Sequence, residues 1–146
     1  MIKRYTHQAA EPIVSALLLE QGFVVARASS LESGYHLTAN KNNVNARLLI
    51  KHLQFDECYK NSLLPYQVYK IKAFPNGKHD SITLQHVDFI IGYNLLDNSF
   101  ACVPVDVYHN QGIACFHSKE GLRHEYFNSW DELHTFTSSD ILPIVK

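Results

Sequence analysis

No stretch of this sequence approaches the roughly 18 to 20 unbroken apolar residues that crossing a bilayer takes, because the run from Ile13 to Leu19 meets Glu20, Gln21 and Gly22 at once. A membrane-spanning helix is therefore not expected. The opening Met1-Ile2-Lys3-Arg4-Tyr5 lacks the apolar block and small-residue cleavage site of a secretory signal, which makes the cytoplasm the expected location. Cysteine is scarce: Cys58, Cys102 and Cys115 are widely spaced, odd in number and form no CxxC pair. Neither a disulfide framework nor a thiolate zinc site is expected, and free buried thiols are. An excess of either charge is missing too, since 13 basic residues face 14 acidic ones. Such a chain offers no broad positive field for non-specific nucleic-acid binding, so any DNA contact has to come from a local patch. There is no GxSxG elbow, no phosphate-cradling glycine loop, no HExxH helix and no cysteine with a local histidine signature.

What is present suits one α/β domain over residues 1–146, since 46% apolar content over that length supplies a single substantial core. Over residues 7–20, Ala10, Ile13, Val14, Leu17 and Leu18 follow helical spacing, with Thr6 as N-cap and Gly22 as stop. The β-branched run 23–28 predicts a first strand. Residues 34–39 and 45–55 predict a hairpin across the polar loop Asn40-Lys41-Asn42-Asn43. Further strands are expected at 66–74 before a Pro75-Asn76-Gly77 turn, at 87–93, and through Asp97-Asn98 into 100–108, with a short extra strand at 113–117. A late helix is expected from Ser129 to His134, capped by Ser129 or Asn128.

The chemistry-bearing combination is an acid on the first helix, a polar residue opening the second strand and a lysine in the third: Glu11, His36 and Lys51. Alternation along a strand puts Arg47, Leu49 and Lys51 on one face and Leu48, Ile50 and His52 on the other. Three histidine pairs (His79 with His86, His109 with His117, His117 with His124) lack the spacing that aligns two metal-binding nitrogens and are assigned to the surface. Asp88 and Asp106, at the ends of apolar strands, are assigned to backbone hydrogen bonding. Lys41, Arg47, Lys60, Lys70, Lys72 and Lys78, with Tyr59, Tyr66 and Tyr69 among them, form either a phosphate-contacting side of the sheet or a scattered solvated face.

In these segments the chain resembles the PD-(D/E)XK nucleases, and among them the small endonucleases encoded in cyanobacterial group I introns. The resemblance is carried by Ala10-Glu11 with the helix through Leu19, Gly22-Phe23-Val24-Val25, Gly34-Tyr35-His36-Leu37 and Leu48-Leu49-Ile50-Lys51. It continues through Val87-Asp88-Phe89-Ile90-Ile91, Val103-Pro104-Val105 and Tyr126-Phe127-Asn128-Ser129-Trp130, so that it spans most of the chain. It implies a restriction-endonuclease-like central mixed β-sheet with an N-terminal and a C-terminal helix. It also implies a phosphodiesterase acting on double-stranded DNA as a homodimer or tetramer, with carboxylates holding Mg²⁺ or Mn²⁺ and a lysine serving the attacking water.

This sequence departs from that pattern where the family's aspartate falls on His36 and its acidic or glutamine residue on Leu49. Leucine ligates nothing and imidazole is a poor partner for Mg²⁺. Two readings stand for each remaining residue. Glu11 and His36 are metal ligands, His36 alternatively a general base; or Glu11 serves the helix dipole and His36 is a hydrogen-bonded strand-start histidine. Lys51 contacts phosphate, or is a solvated lysine with a buried stem. Glu32 is the nearest candidate for a migrated carboxylate. The leading expectation is a nuclease-derived protein that binds DNA or another protein without cutting. The rivals are an active metal-dependent endonuclease with an unconventional site and a small inhibitor or immunity module.

Overall fold

The computed structural model describes residues 7–28, 35–56, 67–72, 87–108 and 112–136. The expected Thr6 cap, the Pro75-Asn76-Gly77 turn, Cys58 and Glu32 lie outside the described residues. Helix α1, His7–Glu20, turns Ala10, Val14 and Leu18 inward at the spacing its sequence announces. Gly22 ends it at φ 92°, a conformation that lets the Phe23 amide return to the Leu18 carbonyl at 3.1 Å.

Phe23 then leads into β1 (Val24–Arg27), which pairs antiparallel with β2 (Leu37–Lys41), itself paired antiparallel with β3 (Val44–His52). β4 (Gln54–Phe55) and β5 (Val68–Lys72) follow, then β6 (Phe89–Tyr93), β7 (Phe100–Pro104) and β8 (Ile113–His117). One sheet has the order β1-β2-β3-β6-β7 and is mixed, because β3 and β6 run parallel while its other pairs are antiparallel. The second, antiparallel, has the order β4-β5-β8. The mixed sheet flanked by α1 and a short late helix is the expected architecture; the separate three-stranded sheet is an addition to it.

Strand β3 explains how the layers are joined. Val44, Ala46, Leu48 and Ile50 are buried against α1, whereas Leu49 packs into a second core shared with Tyr69, Ile71 and Phe116 of the other sheet. The segment 45–55 reads in sequence as one strand, but it breaks at Leu53. There the amide donates to Tyr93 O at 3.1 Å and the carbonyl accepts from Asn94 Nδ2 at 2.9 Å, which frees the chain to enter the second sheet as β4. Gly92 is a point of close approach between the layers, since a Cβ there would stand 2.5 Å from Ile71 Cδ1.

A guanidinium clamp fixes the parallel pair. Asp88 Oδ2 accepts from the Arg47 amide at 2.8 Å and from its Nε at 3.0 Å, Asp88 Oδ1 accepts from Nη2 at 3.0 Å, and the Asp88 amide donates to Arg47 O at 2.9 Å. The backbone role expected of Asp88 is present, with a side-chain ion pair added. The strand expected over 100–108 stops at Pro104 and tightens into a 3-10 turn, Val105–Tyr108, which buries the Tyr108 ring and lets its hydroxyl donate to Ile71 O. Proline cannot extend the ladder, and a buried phenol needs an acceptor. Helix α2, Asp131–His134, takes Trp130 as N-cap in place of Ser129 or Asn128. Trp130 is held there by stacking on Phe100 at 4.3 Å, and Ser129 Oγ still accepts the Asp131 amide at 3.2 Å.

Candidate active site

The β2–β3 hairpin brings His36 against the lysine-bearing strand. Leu37 is the Cα partner of Leu48, so His36 comes opposite Leu49, and Lys51 follows two residues on, on the Leu49 face. Both backbone groups of His36 are engaged, its amide with Leu48 O at 2.8 Å and its carbonyl with the Ala28 amide at 2.9 Å. Its ring does the work of a further ladder group, with Nδ1 accepting the Ile50 amide at 2.9 Å. A neutral imidazole whose Nδ1 lone pair is taken carries its proton on Nε2, where it presents a donor. A ring in that state has no lone pair to offer a cation.

Lys51 is half-buried, and loss of hydration pushes its amine below the ordinary lysine value. Its Cα partner across the parallel pair is Gly92, so no side chain stands directly beside it on that neighbour. Glu11 belongs to the helix side of the sheet. It is buried, and its Oε1 lies 3.3 Å from Nε of Arg27, whose Cα partner Leu37 is in the helix-side core. Glu11, Pro12, Ser15 and Arg27 line a cavity of about 240 Å³. His36 and Lys51 thus meet on adjacent strands, while Glu11 is brought to Arg27.

A hard divalent cation needs several oxygen ligands. The positions facing each other across the hairpin hold an imidazole used by the backbone and a leucine, and the carboxylate already has a guanidinium beside it. Among the described residues no group of three or more His, Cys, Asp and Glu is arranged to hold a metal. This donor set does not fit Mg²⁺.

The basic side of the sheet is dispersed over other tasks. Lys41 Nζ donates to Gln21 O at 2.9 Å and sits 5.4 Å from the Phe23 ring centroid, and Arg47 is spent on Asp88. Tyr69 is buried, with its hydroxyl donating to Asp97, while Lys70 and Lys72 stand on β5. Lys60, Lys78, Tyr59 and Tyr66 lie outside the described residues. His117 Nδ1 accepts the Leu122 amide at 3.0 Å, and His124 Nδ1 lies 2.9 Å from Gly121 O, so each has a local structural partner. Cys102 and Cys115 are free thiols, the first fully buried. Arg27 is the residue that sequence reasoning passed over, although it is the one charged side chain in the apolar run 23–28.

The PD-(D/E)XK endonuclease family model matches residues 1–133. Among solved structures, the bacterial homing endonuclease I-Ssp6803I is similar in fold, with a TM-score of 0.61 at 15% identity over 96% of this chain and 95% of that one. Comparison with curated protein sequences finds no match. Among the described residues no helix is long and apolar enough to cross a membrane.

Proposed function

This chain belongs to the PD-(D/E)XK endonuclease family, and on that premise we propose that it binds double-stranded DNA without cleaving it, its metal-dependent centre having been dismantled. The observation that carries this reading is the hairpin pair His36 and Leu49, where the ring nitrogen is committed to the Ile50 amide and the opposite residue is a hydrocarbon. A nuclease of this kind uses a divalent ion to neutralise charge growing on the phosphate and to lower the pKa of the attacking water. With neither position able to anchor the ion, the fold keeps its surface for the duplex and its cationic lysine, but not the chemistry.

Lys51 then acts as a phosphate contact. Its ammonium stands on a half-buried stem, which limits the freedom it loses on meeting a phosphate oxygen. Two assays on the full chain test the reading. Supercoiled plasmid is expected to survive incubation with Mg²⁺ or Mn²⁺, while a fluorescent duplex binds with an affinity that falls steeply as salt rises. Plasmid cleavage that Lys51→Ala abolishes contradicts the loss of activity; absence of duplex affinity at low salt leaves a protein-interaction module.

A further inference from the structure

The Glu11–Arg27 pair is lopsided: the glutamate side chain is 8% exposed and the arginine side chain 76%. The carboxylate is thus the anchored partner and the guanidinium the outward one. A guanidinium carries five N–H donors in a rigid planar fork, and Glu11 takes the Nε side of it. The cavity that the pair shares with Pro12 and Ser15 flanks the fork. Arg27 also ends β1 immediately before Ala28, whose amide bonds the carbonyl of His36, so it stands beside the opening of the hairpin.

We infer that Arg27 is a phosphate contact of this chain: Glu11 anchors its guanidinium from the Nε side, and its outward N–H groups take a phosphate of the duplex. The inference rests on the DNA-binding reading above. Guanidinium and phosphate match in geometry and form charge-assisted, often paired, hydrogen bonds, and a carboxylate behind the fork fixes its direction before DNA arrives.

Arg27→Gln is expected to weaken duplex binding and to flatten the slope of log affinity against log salt by about 0.9, one phosphate contact. An unchanged slope in a variant that circular dichroism shows folded and that still binds duplex overturns the inference. If Arg27→Gln unfolds, Arg27→Lys, which keeps the charge and loses the fork, is compared in its place, and duplex affinity equal to that of the wild type overturns the inference. A wild-type chain with no duplex affinity at low salt refutes the DNA-binding reading itself, a result distinct from a chain that binds duplex with a slope indifferent to Arg27.

Discussion

Replacing Asp88 with alanine removes the acceptor of three Arg47 donors, at 2.8, 3.0 and 3.0 Å, across the parallel β3–β6 junction. Charge-assisted hydrogen bonds contribute about 1.5–3 kcal/mol each, but these share one carboxylate and do not add. The Arg47 side chain is 30% exposed and that of Asp88 14%, so the orphaned guanidinium can turn to water while the Arg47 amide loses its partner inside the sheet. The expected loss is about 2–3 kcal/mol, which for a domain of this size lowers Tm by about 6–12 °C. Thermal unfolding followed by circular dichroism measures it. A double-mutant cycle with Arg47→Met, which keeps the stem and removes the charge, is expected to give a coupling of about 1–2 kcal/mol. A Tm shift for Asp88→Ala below about 2 °C, or single effects that simply add within about 0.3 kcal/mol, refutes the clamp.

His36→Ala strips the Ile50 amide of its acceptor, and the expected cost is about 1–3 kcal/mol, with faster hydrogen exchange at Ile50 as the local signature; unchanged protection there contradicts the ladder role of the ring. Burial and the neighbouring Asp97 raise the Tyr69 phenol to about 12, above its ordinary value near 10. The folded state therefore holds that proton longer than the unfolded chain. Its contribution to stability is full below about pH 10 and fades as pH rises through about 12, so Tyr69→Phe is expected to flatten the alkaline limb of a Tm–pH profile. Lys51 carries the opposite linkage: its folded-state pKa is lowered, so the charged form costs stability at neutral pH. Lys51→Met is expected to raise Tm near pH 7, with the gain shrinking as pH climbs and the wild-type amine sheds its proton. A variant less stable than wild type at pH 7 is the contrary result.

Helix α1 was legible from the first residues because two local signals agree on it, the inward spacing of Ala10, Val14 and Leu18 and the left-handed Gly22. The β2–β3 hairpin was legible for a similar reason, with Asn42 at φ 53° supplying the turn that its polar loop suggests. What was hidden depends on partners distant in sequence. Nothing between residues 45 and 55 announces that Leu53 will bond Tyr93 and Asn94, some forty residues on, and so pass the chain from one sheet to the other. The same holds for the site. Glu11, His36 and Lys51 were visible as residue types, but that the ring serves the Ile50 amide and the carboxylate serves Arg27 is a matter of register and of the packing of α1 on β1. Leu49 was the informative letter, because no fold can make a hydrocarbon into a ligand.

The most direct measurement is anomalous X-ray scattering from crystals of the wild-type chain soaked in Mn²⁺. The expected map shows no ion in the hairpin between His36, Leu49 and Lys51, with Arg27 still on Glu11. A well-occupied ion beside Lys51, held by carboxylates, contradicts the dismantled centre.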